Sequence, residues 1–171
     1  MTNVTSAHEV FITGLKNAHA MENQALSIMK PQLSRIEHYP DVAAQLDLHI
    51  RETENQIQRL EQLLAETDAS HSSLKDTALS FTGSMAALTH SLASDEIIKN
   101  SLANYAFEHF EIAAYISLIT AAEESGVAQA SSLLQQTLDE ERRMAGWIED
   151  NLPAVTRAYI ALSASGERAD V

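Results

Sequence analysis

The stretch Glu108-His109-Phe110-Glu111-Ile112-Ala113-Ala114-Tyr115 decides how the chain folds. On a helix the i, i+3 spacing of Glu108 and Glu111 puts both carboxylates on one face, about one turn apart. Their neighbours on that face are aliphatic or aromatic. Two like charges held that close among apolar groups need a cation or a shared proton. The segment therefore predicts a helix that turns its carboxylates into a core, not one that bathes them in water.

The same helix reads outward from the cap Ser94-Asp95-Glu96 to Ser125-Gly126, where the glycine provides a stop. It is apolar over most of its surface, which predicts a central position. A fourth helix follows from about Val127 to Asn151, with Pro153 just beyond its end. On the N-terminal side, a first helix begins near Ser6 and carries the stripe Phe11, Leu15, Ala18, Glu22, Ala25, Met29. Pro31 is expected to kink or end it, and Tyr39-Pro40-Asp41 marks the break before a second helix over about 41–65. The inward face of that helix reads Val42, Leu46, His49, Glu52 or Thr53, Gln56, Leu60, Leu63. Polar residues again fall at mid-helix, where burial costs free energy unless they are satisfied.

A polar loop at Thr67–Ser73 and a short amphipathic element marked by Ala78, Phe81, Met85 and Leu88 separate the two helix pairs. That connection suits a bundle with a long crossover. With five glycines, three prolines and no alternating strand-like runs, the fold class is all-α: a four-helix bundle whose long crossover carries a short extra helix. At 171 residues one domain is expected over 1–171, with its core at about 6–152. The tail 154–171 is read as helical to about Ser163 and disordered beyond.

The formal charge of −13 leaves no basic stripe for phosphate counterions, so neither a nucleic acid nor an anionic membrane is an expected partner. Cysteine is absent, which excludes disulfides, zinc-thiolate sites and thiol catalysis. The segment Met1–Glu9 has no apolar signal core, and no run approaches the roughly 20 apolar residues of a membrane span, so a cytoplasmic location is the expectation. No glycine-rich phosphate loop and no nucleophile elbow occurs.

Glu22, His49, Glu52, Glu108, Glu111 and Glu140 make the candidate ligand set, one or two from each helix and all near mid-length. A glutamate on a helix ordinarily faces water; the apolar turns flanking Glu22 and the Glu108/Glu111 pair argue for the inward position. His49 alone is more often a core or boundary histidine bonded to a carbonyl than a ligand, and Glu52 three residues on brings the two readings level. In the fourth helix Glu140 and Glu141 both border the stripe Leu134, Leu138, Ile148. A weak internal repeat, which matches Glu52 and Leu60 to Glu140 and Ile148, favours Glu140. Carboxylates with one imidazole suit iron first and manganese second; calcium prefers flexible loops, and zinc prefers sulfur and nitrogen.

The segments Phe11-Ile12-Thr13-Gly14-Leu15-Lys16, Ala20-Met21-Glu22-Asn23-Gln24, His49-Ile50-Arg51-Glu52-Thr53 and Arg59-Leu60-Glu61-Gln62 join Glu108–Tyr115 and Leu133–Glu141 in a further pattern. Together they resemble the YciE/YciF-like proteins of the ferritin-like superfamily, distantly related to rubrerythrin, over about Val10 to Leu152. The resemblance implies a ferritin-like bundle with a centre of two metal ions, an intracellular location, a homodimer and a link to bacterial stress responses. A rubrerythrin-like site takes a Glu-x-x-His from helix 2 and another from helix 4. Here Asn55 and Gln56 follow Glu52, Arg143 and Met144 follow Glu140 and Glu141, and the fourth helix has no histidine. The absence of cysteine also removes the rubredoxin-type electron-transfer module.

Three readings of function follow. In the first, Glu52 and a helix 3 carboxylate bridge two irons that react with oxygen or peroxide, with Tyr105 or Tyr115 nearby. In the second, a dimeric stress protein keeps a structural, stored or vestigial metal without turnover. In the third, a helical adaptor holds buried protonated glutamates and no metal.

Overall fold

Ser6 starts the first helix by a reciprocal cap. Its hydroxyl accepts from the Glu9 N–H at 3.2 Å, and the Glu9 carboxylate accepts from the Ser6 N–H at 2.8 Å. The computed structural model describes residues 6–67 and 94–171. Its helices are α1 (Ala7–Arg35), α2 (Pro40–Glu66), α3 (Glu96–Glu124) and α4 (Ala128–Ser165), with no strand among the described residues. Pro40 sits in the first turn of α2, where its missing N–H costs nothing. The expected short helix around Ala78–Leu88 lies outside the described residues.

Each helix buries a seam whose members alternate three and four residues apart. The seams include Phe11, Leu15, Ala18, Glu22, Ala25, Met29 on α1 and Leu46, His49, Thr53, Gln56, Leu60, Leu63 on α2. On α3 the seam reads Glu108, Glu111, Tyr115, Leu118, Ala122, and on α4 Leu134, Leu138, Glu141, Ala145, Ile148. That spacing keeps one narrow stripe facing the bundle axis. α1 packs on α2 and α3, and α4 packs on α3 and α2, so α1 and α4 stand diagonally opposed.

Adjacent helices run antiparallel. On α1 and α2, His19 lies by Glu61 and Lys30 by Glu54; on α1 and α3, Glu22 meets Tyr115 and Gln32 meets Asn104. Gln56 meets Glu141 and Arg59 meets Thr137 between α2 and α4. The polar seam positions thereby come to one level, with apolar layers above and below.

Two helices continue through a proline. Of the kink or end expected at Pro31, the end does not occur, and α1 continues to Arg35. The turn beyond it keeps Gln32 buried and Leu33 packed on the core, and that packing outweighs one missing backbone bond. Pro153 lies inside α4, not beyond its end, and the helix runs on to Ser165. The extension has its own apolar surface to cover: Val155, Tyr159 and Leu162 pack with Tyr39 and Ile97 in a second small cluster.

The expectation of a disordered tail is also corrected. Gly166, at φ 78°, takes the left-handed turn that closes α4, and Glu167 N–H reaches back to Leu162 O at 3.1 Å. The last residues then fold over the bundle end and bury Ala169 and Val171. Ile97 N–H donates to Asp170 O at 2.8 Å, His38 N–H to Val171 O at 3.2 Å, and Tyr39 OH to Ala169 O at 2.5 Å. The tail thus satisfies an N-terminal amide of α3. No helix among the described residues is long and apolar enough to cross a membrane.

Tyr39→Phe should remove the buried hydroxyl's bond while keeping the ring. The expected loss is about 1 kcal/mol of unfolding free energy, with faster hydrogen exchange at the Ile97 and His38 amides. Unchanged exchange there would show that the tail is held without it.

Candidate metal centre

Mid-bundle, the four seams bring together side chains that a core does not ordinarily hold. Glu22, His49, Glu108, Glu111 and Glu141 are each 2% exposed or less. Donor atoms of His49, Glu108, Glu111 and Glu141 all lie within 4.8 Å of one another, near enough to surround a single ion. Two of the four come from α3, where the i, i+3 spacing of Glu108 and Glu111 aims both into the bundle. His49 comes from the diagonally opposite α2 and Glu141 from α4.

His49 is oriented by its own helix. Its Nδ1 is 3.3 Å from Glu52 Oε2 one turn on, so Glu52 fixes the ring and leaves Nε2 facing the pocket. Nε2 lies 3.4 Å from Glu108 Oε2 and 3.5 Å from Glu141 Oε2. Glu52 itself is partly exposed, and its other oxygen accepts from Arg143 at 3.1 Å. The structure thus sets Glu52 behind His49, on the side away from the other carboxylates.

Glu22 borders the pocket from α1. Its Oε1 accepts from the fully buried Tyr115 hydroxyl at 2.5 Å, which gives Tyr115 a place beside the site. Tyr105 does not join it: its hydroxyl turns outward to Glu149 at 3.1 Å, and its ring meets the exposed His109 edge-on.

The two fourth-helix glutamates divide. Glu140, which the internal repeat favoured, is buried but held at two points by Arg59, at 2.7 and 2.6 Å. Glu141 occupies the pocket in its place. The signal was present in the seam: Leu134, Leu138, Glu141, Ala145 and Ile148 keep the three-four alternation, and position 140 is about 100° around the helix from it. Gln56 joins the two, its Nε2 donating to Glu141 Oε1 at 2.5 Å and to Glu140 Oε2 at 3.1 Å. The sequence reading gave Arg59 and Arg143 no carboxylate partner, because those partners lie on other helices.

Electrostatics follow from this burial. Desolvation raises the pKa of Glu22 to about 8, against a relief from the Tyr115 hydrogen bond and the His49 charge. Burial, reinforced by the neighbouring carboxylates, pushes Glu111 and Glu141 well above the usual carboxyl range. For His49, burial pulls the pKa down, but the carboxylate of Glu108 and then Glu52 and Glu141 outweigh it, and the imidazole titrates well above its ordinary value. Burial and the Glu22 charge likewise raise Tyr115, while the His49 and Arg143 contacts lower Glu52.

These residues fit a metal ion. Glu22 Oε2, Gln56 Oε1, Glu108 Oε2, Glu111 Oε1 and Glu141 Oε2 are buried acceptors with no hydrogen-bond partner among the described residues. Orphaned acceptors are rare in folded interiors, and here three of them belong to carboxylates that surround one centre with His49. One imidazole with three carboxylates is a donor set suited to iron or manganese.

The DUF892 family, described as a domain of unknown function, matches residues 6–161. Protein YciF of Escherichia coli K12 is 29% identical over 147 residues, which span 82% of this chain and 86% of that protein. Among solved structures, a Xanthomonas campestris protein superposes with a TM-score of 0.78 at 28% identity, covering 93% of this chain and 99% of its own. The E. coli stress protein YciF superposes at 0.68 and 23% identity, over 87% of this chain and 96% of its own, and supports the helical-bundle fold.

A pH dependence follows for the metal-free protein. Glu22, Glu111, Glu141 and His49 all have raised folded-state pKa values, so each favours the folded state at low pH and loses that contribution as pH rises through its folded value, about 8 for Glu22. In chelator, the melting temperature should fall between about pH 5 and about pH 8.5. Glu111→Gln, which stays neutral, should flatten that fall. A melting temperature that climbs across this range would contradict the buried unpaired carboxylates.

Proposed function

The chain belongs to the DUF892 family, and on that footing we propose that it is a metal-binding helical bundle of the ferritin-like type. His49, Glu108, Glu111 and Glu141 hold a redox-active divalent ion, iron as first choice and manganese as second. The observation that carries this reading is that Glu108, Glu111 and Glu141, each with an orphaned buried carboxylate oxygen, converge with His49 on one centre. Bound iron would supply one-electron chemistry toward oxygen or peroxide. The chain's own groups do the rest. Glu52 holds the His49 ring so that Nε2 stays a donor, Gln56 orients Glu141, and Tyr115 gives a proton-bearing hydroxyl to Glu22. The E. coli relative's description as a stress protein supports a stress-associated role.

Binding has to displace the protons held by the pocket, so affinity should rise with pH through neutrality. Anaerobic Fe²⁺ loading followed by desalting and metal analysis tests the proposal. The expected result is iron retained by the native chain, lost in Glu108→Ala with Glu111→Ala, and a spectral change on adding peroxide. A protein that stays colourless and metal-free would overturn it.

The near-complete burial of every donor also favours a second reading, in which the ion is structural or stored and no turnover occurs. Under that reading metal raises the melting temperature, peroxide leaves the spectrum unchanged, and Glu22→Ala with Glu111→Ala shifts only stability.

We further propose a homodimer formed through α3. Leu102, Ala106, Ala113 and Ile116 share the outer face of that helix and are exposed, and between Leu102 and Ile116 that face bears no Asp, Glu, Lys or Arg. Two copies of a chain with a net charge of −13 meet at least electrostatic cost where that charge is absent. Ile116→Glu should convert a dimer to monomer in sedimentation experiments without lowering metal content. A native chain that sediments as a monomer would exclude the dimer.

A further inference from the structure

We infer that the pocket is built for one metal ion and not two, an inference that rests on the metal-centre reading above. Two-ion carboxylate centres in four-helix bundles take one Glu from each of two helices and a Glu-x-x-His pair from each of the other two. The α3 pair Glu108 and Glu111 holds two carboxylates and no histidine, and the inward i, i+3 pairs of α2 and α4 at this level are Thr53 with Gln56 and Glu141 with Met144. Neither pair carries a histidine, and one of the two glutamates is a threonine.

The replacements are engaged elsewhere. Thr53 Oγ1 donates to His49 O on its own helix at 3.0 Å. Met144 Sδ accepts from Gln45 Nε2 at 3.6 Å. His49, one turn before Thr53, makes the nitrogen contribution of α2, and it makes it to the same centre that Glu108, Glu111 and Glu141 already surround.

Two carboxylates near the pocket are paired with arginines. Glu140 is held at two points by Arg59, and Glu52 by Arg143, with His49 Nδ1 adding a hydrogen bond to Glu52. A guanidinium keeps its charge at every accessible pH, so Arg59 stands permanently where a second cation would offset Glu140. Among the described residues, the orphaned carboxylate and amide oxygens outside that group are Glu22 Oε2 and Gln56 Oε1, with no nitrogen beside them. One ion is enclosed by four donors; a second would have two of its own.

The test is metal stoichiometry with a magnetic readout, neither of which depends on activity. Metal-free full-length chain is loaded anaerobically with Mn²⁺, desalted, and measured for metal per chain and by electron paramagnetic resonance. The expected result is one Mn²⁺ per chain with the six-line signal of an isolated ion. Two ions per chain with an exchange-coupled signal would overturn the inference and leave the metal centre standing; no retained metal would overturn both. The triple variant Thr53→Glu, Gln56→His, Met144→His should bind two ions per chain and show the coupled signal. If it folds by circular dichroism and still binds one, those positions do not set the stoichiometry. If it does not fold, Gln56→His alone carries the test, with a second, weaker equivalent expected and its absence overturning the assignment.

Discussion

Charge buried without an opposite charge is the constraint on which the centre of this bundle turns. Glu22, Glu108, Glu111 and Glu141 enter an interior where Tyr115 and Gln56 offer neutral hydrogen bonds and His49 brings the opposite charge. Desolvating a carboxylate costs several kcal/mol unless it is protonated, paired or bound to a cation. Raised pKa values express the first remedy, and a bound ion is the second. The apolar layers above and below, from Phe11 and Leu15 through Leu60, Leu134 and Leu138, supply the burial that lets the bundle tolerate either.

Around that centre the polar residues separate by function, not by distance along the chain. Glu52 and Glu141 both lie beside His49, yet one faces its Nδ1 and the other its Nε2. Glu140 and Glu141 are sequence neighbours, yet one is neutralised by Arg59 and the other points into the pocket. Glu52 orients His49 from the same helix, whereas Gln56 and Arg59 reach Glu141 and Glu140 from another, and Arg143 reaches Glu52 from across the bundle. A histidine-poor pocket thereby keeps a defined shape: the carboxylates it does not use are tied back by arginines instead of competing for the ion.

The second stabilising feature lies at the bundle end. Residues 167–171 return over the start of α3 and the α1–α2 turn, so the terminal backbone completes hydrogen bonds that α3 cannot make internally. The extension of α4 past Pro153 makes this possible, because it carries the chain to that end of the bundle. Pro31 and Pro153 show the same balance: a proline removes one backbone bond, and a helix continues through it where the residues beyond have apolar partners.

The four-helix, all-α character was legible in the sequence, because hydrophobic periodicity depends only on residues within one or two turns. The sequence also placed Glu22, His49, Glu108 and Glu111 on the buried faces, since polar residues in an otherwise apolar three-four stripe have nowhere else to point. Only the tertiary structure decided between Glu140 and Glu141, set Glu52 behind His49, and revealed Arg59 and Arg143 as the partners of the carboxylates left outside. Each of those outcomes depends on which side chain of another helix lies opposite, and periodicity within one helix carries no information about that. The continuation through both prolines and the ordered tail belong to the same class, because the apolar surface that holds them comes from elements distant in the chain.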